Sequence, residues 1–272
     1  VAGEIGMGRS MSAIMAKEVG ADIVAVDVGM DIKEPIKGVK NMSIKRGTAN
    51  FAKEGALSTE EALSAISVGI DEVRKLKEKG YKVILTGEMG IGNTTTSSAV
   101  ASAIMGYSAD KMTGRGAGLG DEAFLKKMRV IDEAVERYGF KNITDISQRA
   151  FKALCCVGGL DIAALCGVCI GGALYKVPVV LDGLITMSAA LCAESMLPGV
   201  RKYLLPSHIG KERGAKIISQ ELGLRPVIDA GMALGEGTGA VMMLSLLKIV
   251  EKVYKTGEKF EEMGVEQYER YE

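Results

Sequence analysis

The sequence predicts an α/β fold with a mostly parallel sheet, on three observations. Four short runs rich in β-branched residues alternate with longer amphipathic segments, each run ends at a glycine, and each is apolar almost without interruption. Unbroken apolarity suits strands covered on both faces, and helical connections between such strands build right-handed crossovers. The expected arrangement is Rossmann-like, with three layers and helices on both sides of the sheet.

The elements follow in order. ADIVAVDVG at 21–29 is the first predicted strand. A helix is predicted over 58–80: Ser58 and Glu61 have capping-box spacing, Leu63, Ile66, Ile70, Val73 and Leu76 form an apolar stripe, and Gly80 stops it. YKVILTG at 81–87 is the second strand, and a second clear helix runs from Asp121 to Tyr138 before Gly139. KVPVVLDG at 176–183 and RPVIDAG at 225–231 complete the strands, and an acid-rich tail, EKFEEMGVEQYERYE, closes the sequence. Neither an internal repeat nor a low-complexity linker interrupts this pattern.

Composition narrows the function classes. In 272 residues, 34 Lys and Arg balance 34 Asp and Glu, which removes the bulk attraction that nonspecific nucleic-acid or anionic-membrane binding uses. The longest apolar stretches, Ile162–Tyr175 and Gly239–Val250, fall short of the roughly 20 residues that span a bilayer. No spanning helix and no signal peptide are expected. Five cysteines, two of them adjacent at Cys155 and Cys156, do not form a disulfide framework and fit a reducing cytoplasm. Cys166 and Cys169 make a CxxC without a second pair, and His208 is the one imidazole, so no metal site is expected.

In an open parallel sheet, ligands bind beyond the carboxyl ends of the strands. The segment TGEMGIGNTTTSSAVASAIMG, Thr86 to Gly106, has the form of a strand, a Gly-rich turn and a Thr/Ser-rich helix start. Gly87, Gly90 and Gly92 let backbone N–H groups approach an anion, Thr94 to Thr96 add hydroxyls, and the helix dipole favours negative charge. The spacing imitates a Walker A loop with Asn93 in the lysine's place, which favours a monophosphate over a nucleoside triphosphate. A tight turn plus a Thr-capped helix remains the plain alternative. A second glycine cluster, GRGAGLGDE at 114–122, precedes the helix bearing Lys126 and Lys127, either of which could meet a phosphate or simply face water.

Glu236 lies between Gly235 and Gly237 before an apolar helix, where it could complement the dipole or act as a base. With one His in the chain, proton transfer near neutral pH points to a partly buried carboxylate, and Glu88 and Glu236 are the two embedded in Gly-rich loops. His208, beside Ser207, is the competing base and could equally be a helix-start residue. Asp27 and Asp182 end strands and could bind sugar hydroxyls or cap a helix.

Six segments in order, GEMGIGNTTTSSAV, GRGAGLGDE, VGGLDIAALCG, PVVLDGLITMSAAL, SHIGKERGA and RPVIDAGMALGEGTGA, resemble the nicotinate-nucleotide:dimethylbenzimidazole phosphoribosyltransferase family across nearly the whole chain. That family moves the 5-phosphoribosyl group of nicotinate mononucleotide to 5,6-dimethylbenzimidazole in cobalamin assembly, releasing nicotinate and α-ribazole 5′-phosphate. The resemblance implies that Glu236 accepts the azole proton and that Glu88 is a second active-site carboxylate. It places Gly90, Ile91, Gly92, Asn93 and Thr94 around the 5′-phosphate, with Gly116 and Lys127, rather than Lys126, near the ribose phosphate. Ser207, Leu234 and Gly235 face the flat rings, and Met89 with Leu234 suits a neutral benzimidazole.

The resemblance further implies a homodimer, no cofactor, a large domain over 1–240, and a small helical subdomain formed by the chain ends, with 241–272 as its C-terminal part. Here the sequence opens at the helix around GMGRSMSAIMAKEVG, where the family carries a further N-terminal segment lining the benzimidazole pocket. Alternatives from this reading are transfer to another azole, a purine or a phenol, or a noncatalytic nucleotide-binding homologue. A kinase would need the lysine that Asn93 replaces.

Overall fold

The computed structural model describes residues 1–116, 118–258 and 262–264. In chain order the elements are α1 (Ala2–Gly6), α2 (Met11–Glu18), β1 (Val26–Asp27), β2 (Lys40–Asn41), α3 (Thr59–Glu78), β3 (Ile84–Leu85), α4 (Asn93–Met105), α5 (Ala109–Met112) and α6 (Asp121–Tyr138). They continue with α7 (Ile146–Val157), α8 (Leu160–Tyr175), β4 (Val179–Leu181), α9 (Leu184–Met196), β5 (Leu204–Pro206), α10 (Arg213–Glu221) and α11 (Thr238–Thr256).

Every strand pair is parallel, as the crossover pattern requires, but the sheet is divided. β3, β4 and β5 form a three-stranded sheet in that order, while β1 pairs with β2 alone. Two expectations change. The run at 21–29 is not covered on both faces, since Ile23 and Val24 stay exposed, and it pairs only around Val26 and Asp27. The run at 225–231 contributes a single bridge, Ile228 beside His208, because Pro226 offers no N–H to a longer ladder. The three residues of β5, which bracket Leu205, are too few to show a period.

α3 starts on the expected capping box: the Ser58 hydroxyl accepts the Glu61 N–H at 3.2 Å and the Glu61 carboxylate accepts the Ser58 N–H at 2.8 Å. Its buried face differs from the apolar stripe. Leu63 is 52% exposed, while Ala62, Ala65, Ile66, Gly69 and Val73 turn inward against α8. Small residues win because the two helix backbones nearly touch. A Cβ on Gly69 would lie 1.9 Å from the Ala164 carbonyl, and one on Gly167 would lie 2.0 Å from that of Ile66. Cys166 and Cys169 are buried in α8 as free thiols, and burial pushes Cys169 up to about 12, so they pack as small protonated groups.

α6 has the predicted bounds and ends at Gly139 in the left-handed region, φ 63°. α11 runs unbroken across the boundary expected at 240/241; its first turns bury Thr238, Ala240, Val241, Met243 and Leu244, and its second half exposes Ile249, Val250, Val253 and Tyr254. Near the chain ends, Lys248 on α11 donates to the carbonyl of Val19, just past α2. Most of the acid-rich tail lies outside the described residues. Among the described residues no helix is long and apolar enough to cross a membrane.

Two features position the site. α4 and α11 both begin after a left-handed glycine, Gly92 at φ 82° and Gly237 at φ 87°. The loops leading into them meet beyond β3 and β4. A Cβ on Gly87 would lie 2.7 Å from the Glu236 carbonyl, so this crossing admits no side chain.

Candidate active site

The first wall is the loop after β3. Thr86 is buried, with its hydroxyl donating to the Val180 carbonyl at 2.8 Å, which ties the loop to β4. Glu88 points back toward α4, where the Asn93 amide donates both to it and to Asp161 Oδ2, the latter at 3.1 Å. Burial pushes Glu88 up from 4.5 to about 7; the charges of Asp161, Asp182 and Glu236 add to the rise and the Asn93 bond opposes it. Burial raises the Asp161 carboxyl as well. Glu88 is therefore poised to hold or release a proton near neutrality. Gly90 packs against Asp161 and Asn93, whereas Ile91 is 97% exposed and Met89 also reaches solvent.

The second wall is the cradle at the start of α6. Lys127 is 6% exposed, and its ammonium donates to the Thr94 hydroxyl at 3.0 Å and the Gly114 carbonyl at 3.1 Å. Lys126 is exposed, so the structure brings Lys127 of the pair to the loop. Burial lowers Lys127 below the usual lysine range, and the Glu212 charge opposes that shift. Gly116, at φ 55°, donates its N–H to Glu212 Oε1 at 2.9 Å. A Cβ there would lie 3.0 Å from the Thr94 hydroxyl oxygen.

The third wall is Gly235–Glu236–Gly237, three successive left-handed residues at φ 78°, 59° and 87°. For Glu236 this conformation is strained, at a cost of about 1–2 kcal/mol. Its Oε2 is buried without a hydrogen-bond partner. A Cβ on Gly235 would lie 3.4 Å from Glu88 Oε1, so the two carboxylate-bearing loops are in contact. Asp182, just after β4, holds the turn. Its carboxylate accepts the N–H groups of Gly237 at 3.2 Å, Gly239 at 2.8 Å and Ala240 at 3.3 Å. Asp182 thus caps α11, not the helix next to it in sequence, while Asp27 accepts from Gly29 and Met30 in a local turn.

Ser207 and His208 lie behind this turn. Ser207 is fully buried, its hydroxyl 2.9 Å from His208 Nδ1 and 3.3 Å from the Asp182 carbonyl oxygen. His208 Nδ1 lies 3.9 Å from Asp182 Oδ1, and a Cβ on Gly239 would fall 2.0 Å from that nitrogen. The structure therefore spends the Ser207 hydroxyl on the support of the loop. Leu234, 57% exposed, reaches solvent beside Gly235.

A family model described as phosphoribosyltransferase matches residues 2–265. The nicotinate-nucleotide–dimethylbenzimidazole phosphoribosyltransferase of Clostridium acetobutylicum is 42% identical over 257 residues, covering 94% of this chain and 71% of that protein. The protein of the same name from Acetivibrio thermocellus is 40% identical over 256 residues, covering 93% of this chain and 71% of that protein. The crystal structure of CobT from Thermus thermophilus superposes with a TM-score of 0.88 at 32% identity, covering 97% of this chain and 78% of that one. The chain belongs to this phosphoribosyltransferase family.

In this phosphoribosyltransferase the site contains two residues that sequence reasoning missed. Asp161 enters through Asn93, and Glu212 through Gly116. Asp161 follows a Gly-Gly pair at the start of α8, a signal of close approach that could have drawn attention to it. Glu212 carries no local signal, because its partner lies on a loop about a hundred residues away.

Proposed function

We propose that the protein transfers the 5-phosphoribosyl group of nicotinate mononucleotide to 5,6-dimethylbenzimidazole, giving α-ribazole 5′-phosphate and nicotinate. The observation that carries this reading is Glu236: a strained carboxylate with one buried, unpartnered oxygen, touching the Glu88 loop beside a lysine-bearing anion cradle. A carboxylate oxygen that no protein donor holds can turn to accept the azole N–H proton as the other ring nitrogen attacks C1′. Nicotinate leaves a pyridinium-like nucleotide as a neutral ring nitrogen, so its departure needs no acid. Attack from the opposite face turns the β-linkage into an α-linkage, and alignment of the two rings about C1′ is the main requirement on the protein.

In this reading the N–H groups and side chains at Gly90, Ile91, Gly92, Asn93 and Thr94, with Gly116 and Lys127, hold the 5′-phosphate at the positive end of α4. Met89, Leu234 and Gly235 face the rings, while Ser207 acts from behind by bracing His208 and Asp182. Glu88, whose carboxyl burial pushes up to about 7, is the second carboxylate of the site. A homodimer and a cytoplasmic setting belong to the same proposal, the latter supported by five free thiols.

The experiment mixes the protein with nicotinate mononucleotide and dimethylbenzimidazole and detects α-ribazole phosphate by mass. Absence of product sinks the proposal, and competition among azoles, purines and phenols ranks the acceptor. Glu236→Gln should lower turnover by about two to four orders of magnitude, the usual scale for a general base. Normal turnover by that variant would return Glu236 to a helix-terminus role.

A further inference from the structure

The anion cradle already contains an anion. Gly116 N–H and Lys127 are two of the groups that meet the substrate phosphate in the reading above; Glu212 Oε1 takes the Gly116 N–H at 2.9 Å, and the Glu212 charge acts on the Lys127 ammonium through space, without a direct contact. Its other oxygen, Oε2, is buried with no partner. That oxygen lies over Gly114, where a Cβ would fall 1.7 Å from it, so only glycine leaves room for the carboxylate. Glu212 reaches this place from the loop just before α10, where its side chain makes no cap hydrogen bond.

From this geometry we propose that Glu212 is the internal counter-ion that the substrate's 5′-phosphate displaces, and so the residue that sets how tightly this protein holds phosphate. The inference rests on the assignment of the cradle under Proposed function. An arriving dianion meets a like charge, and one of its donors is already occupied. Binding proceeds only as the carboxylate yields the Gly116 N–H. The unpartnered Oε2 makes that exit easier, since leaving breaks one hydrogen bond where a fully paired carboxylate would break several. A ligand without phosphate gains nothing from the exchange. Glu212 therefore lowers affinity for the phosphorylated sugar alone, as a competitor and not as a contact.

Glu212→Gln tests this, because the amide oxygen still accepts from Gly116 while the charge is gone. Calorimetric titration of wild type and variant with nicotinate mononucleotide, inorganic phosphate and nicotinate riboside separates the possibilities. The variant should bind nicotinate mononucleotide and inorganic phosphate about tenfold more tightly, the scale of a partly screened like-charge contact removed. The riboside, which has no phosphate, should bind wild type and variant equally. Weaker or unchanged phosphate binding, or a riboside affinity that moves in parallel, overturns the proposal in favour of Glu212 shaping the loop. Should that variant fail to fold, Glu212→Asp, whose shorter side chain withdraws from Gly116, should show the same direction with a smaller change; no tightening there overturns the proposal equally. Wild type that binds no nicotinate mononucleotide sinks the functional reading itself, an outcome distinct from wild type that turns over while Glu212→Gln binds no better.

Discussion

Glu88 and Glu236 are alike in sequence, each a carboxylate among glycines, yet their surroundings separate them. Glu88 accepts from Asn93 and feels Asp161, whereas one Glu236 oxygen has no donor at all. The Glu88 shift is also a statement about stability. A carboxyl whose pKa is higher folded than unfolded favours the folded state at low pH, and that contribution is lost as pH rises through the folded value. A rise from 4.5 to about 7 corresponds to roughly 3 kcal/mol at most. Glu88→Gln, neutral at every pH, should therefore melt close to wild type near pH 4.5 and progressively above it up to about pH 7, levelling off beyond. Thermal melts across that window check this, and a constant difference would place the shift elsewhere. His208 shows the converse case. In the sequence it competes with the two carboxylates as a base, but its Nδ1 is engaged with Ser207 and its ring is buried behind Gly239.

Among the elements, α3 and α8 show why periodicity located a helix but not its buried face. The stripe through Leu63 and Leu76 followed hydrophobicity, whereas the contact follows size, since Gly69 and Gly167 let the two backbones meet. Gly69→Ala should destabilise by about 3 kcal/mol, at the upper end of overpacking, because the methyl meets backbone and cannot be relieved by a rotamer change. A melting temperature lowered by less than a couple of degrees would mean that the helices slide apart freely. Helix ends were the most legible features. Ser58 with Glu61 and Gly92 before Asn93 at helix starts, and Gly139 after Tyr138 at a helix finish, fall where residue chemistry alone puts them. Short strands were the least legible. Each ladder spans two or three residues, and for so short a strand burial is decided by whatever lies above and below, as with Ile23 and Val24.

For the whole molecule, parallel strands with helical connections place the Glu88 and Glu236 loops at one end of the sheet, although about 150 residues separate them. The proposed homodimer is tested by sedimentation velocity, where a species of twice the 28.7 kDa chain mass is expected and a monomer at micromolar concentration would refute it. By itself the sequence determined the family, the parallel α/β class and the two glycine-flanked carboxylates, because motif order, turn chemistry and helix caps are local properties that residue types carry with them. Only the tertiary structure decided that Lys127 reaches Thr94 and Gly114, that Asp182 caps α11, and that Glu212 occupies the cradle. Those are contacts between segments distant along the chain, fixed by how close two backbones can approach and by which charges burial leaves to satisfy one another.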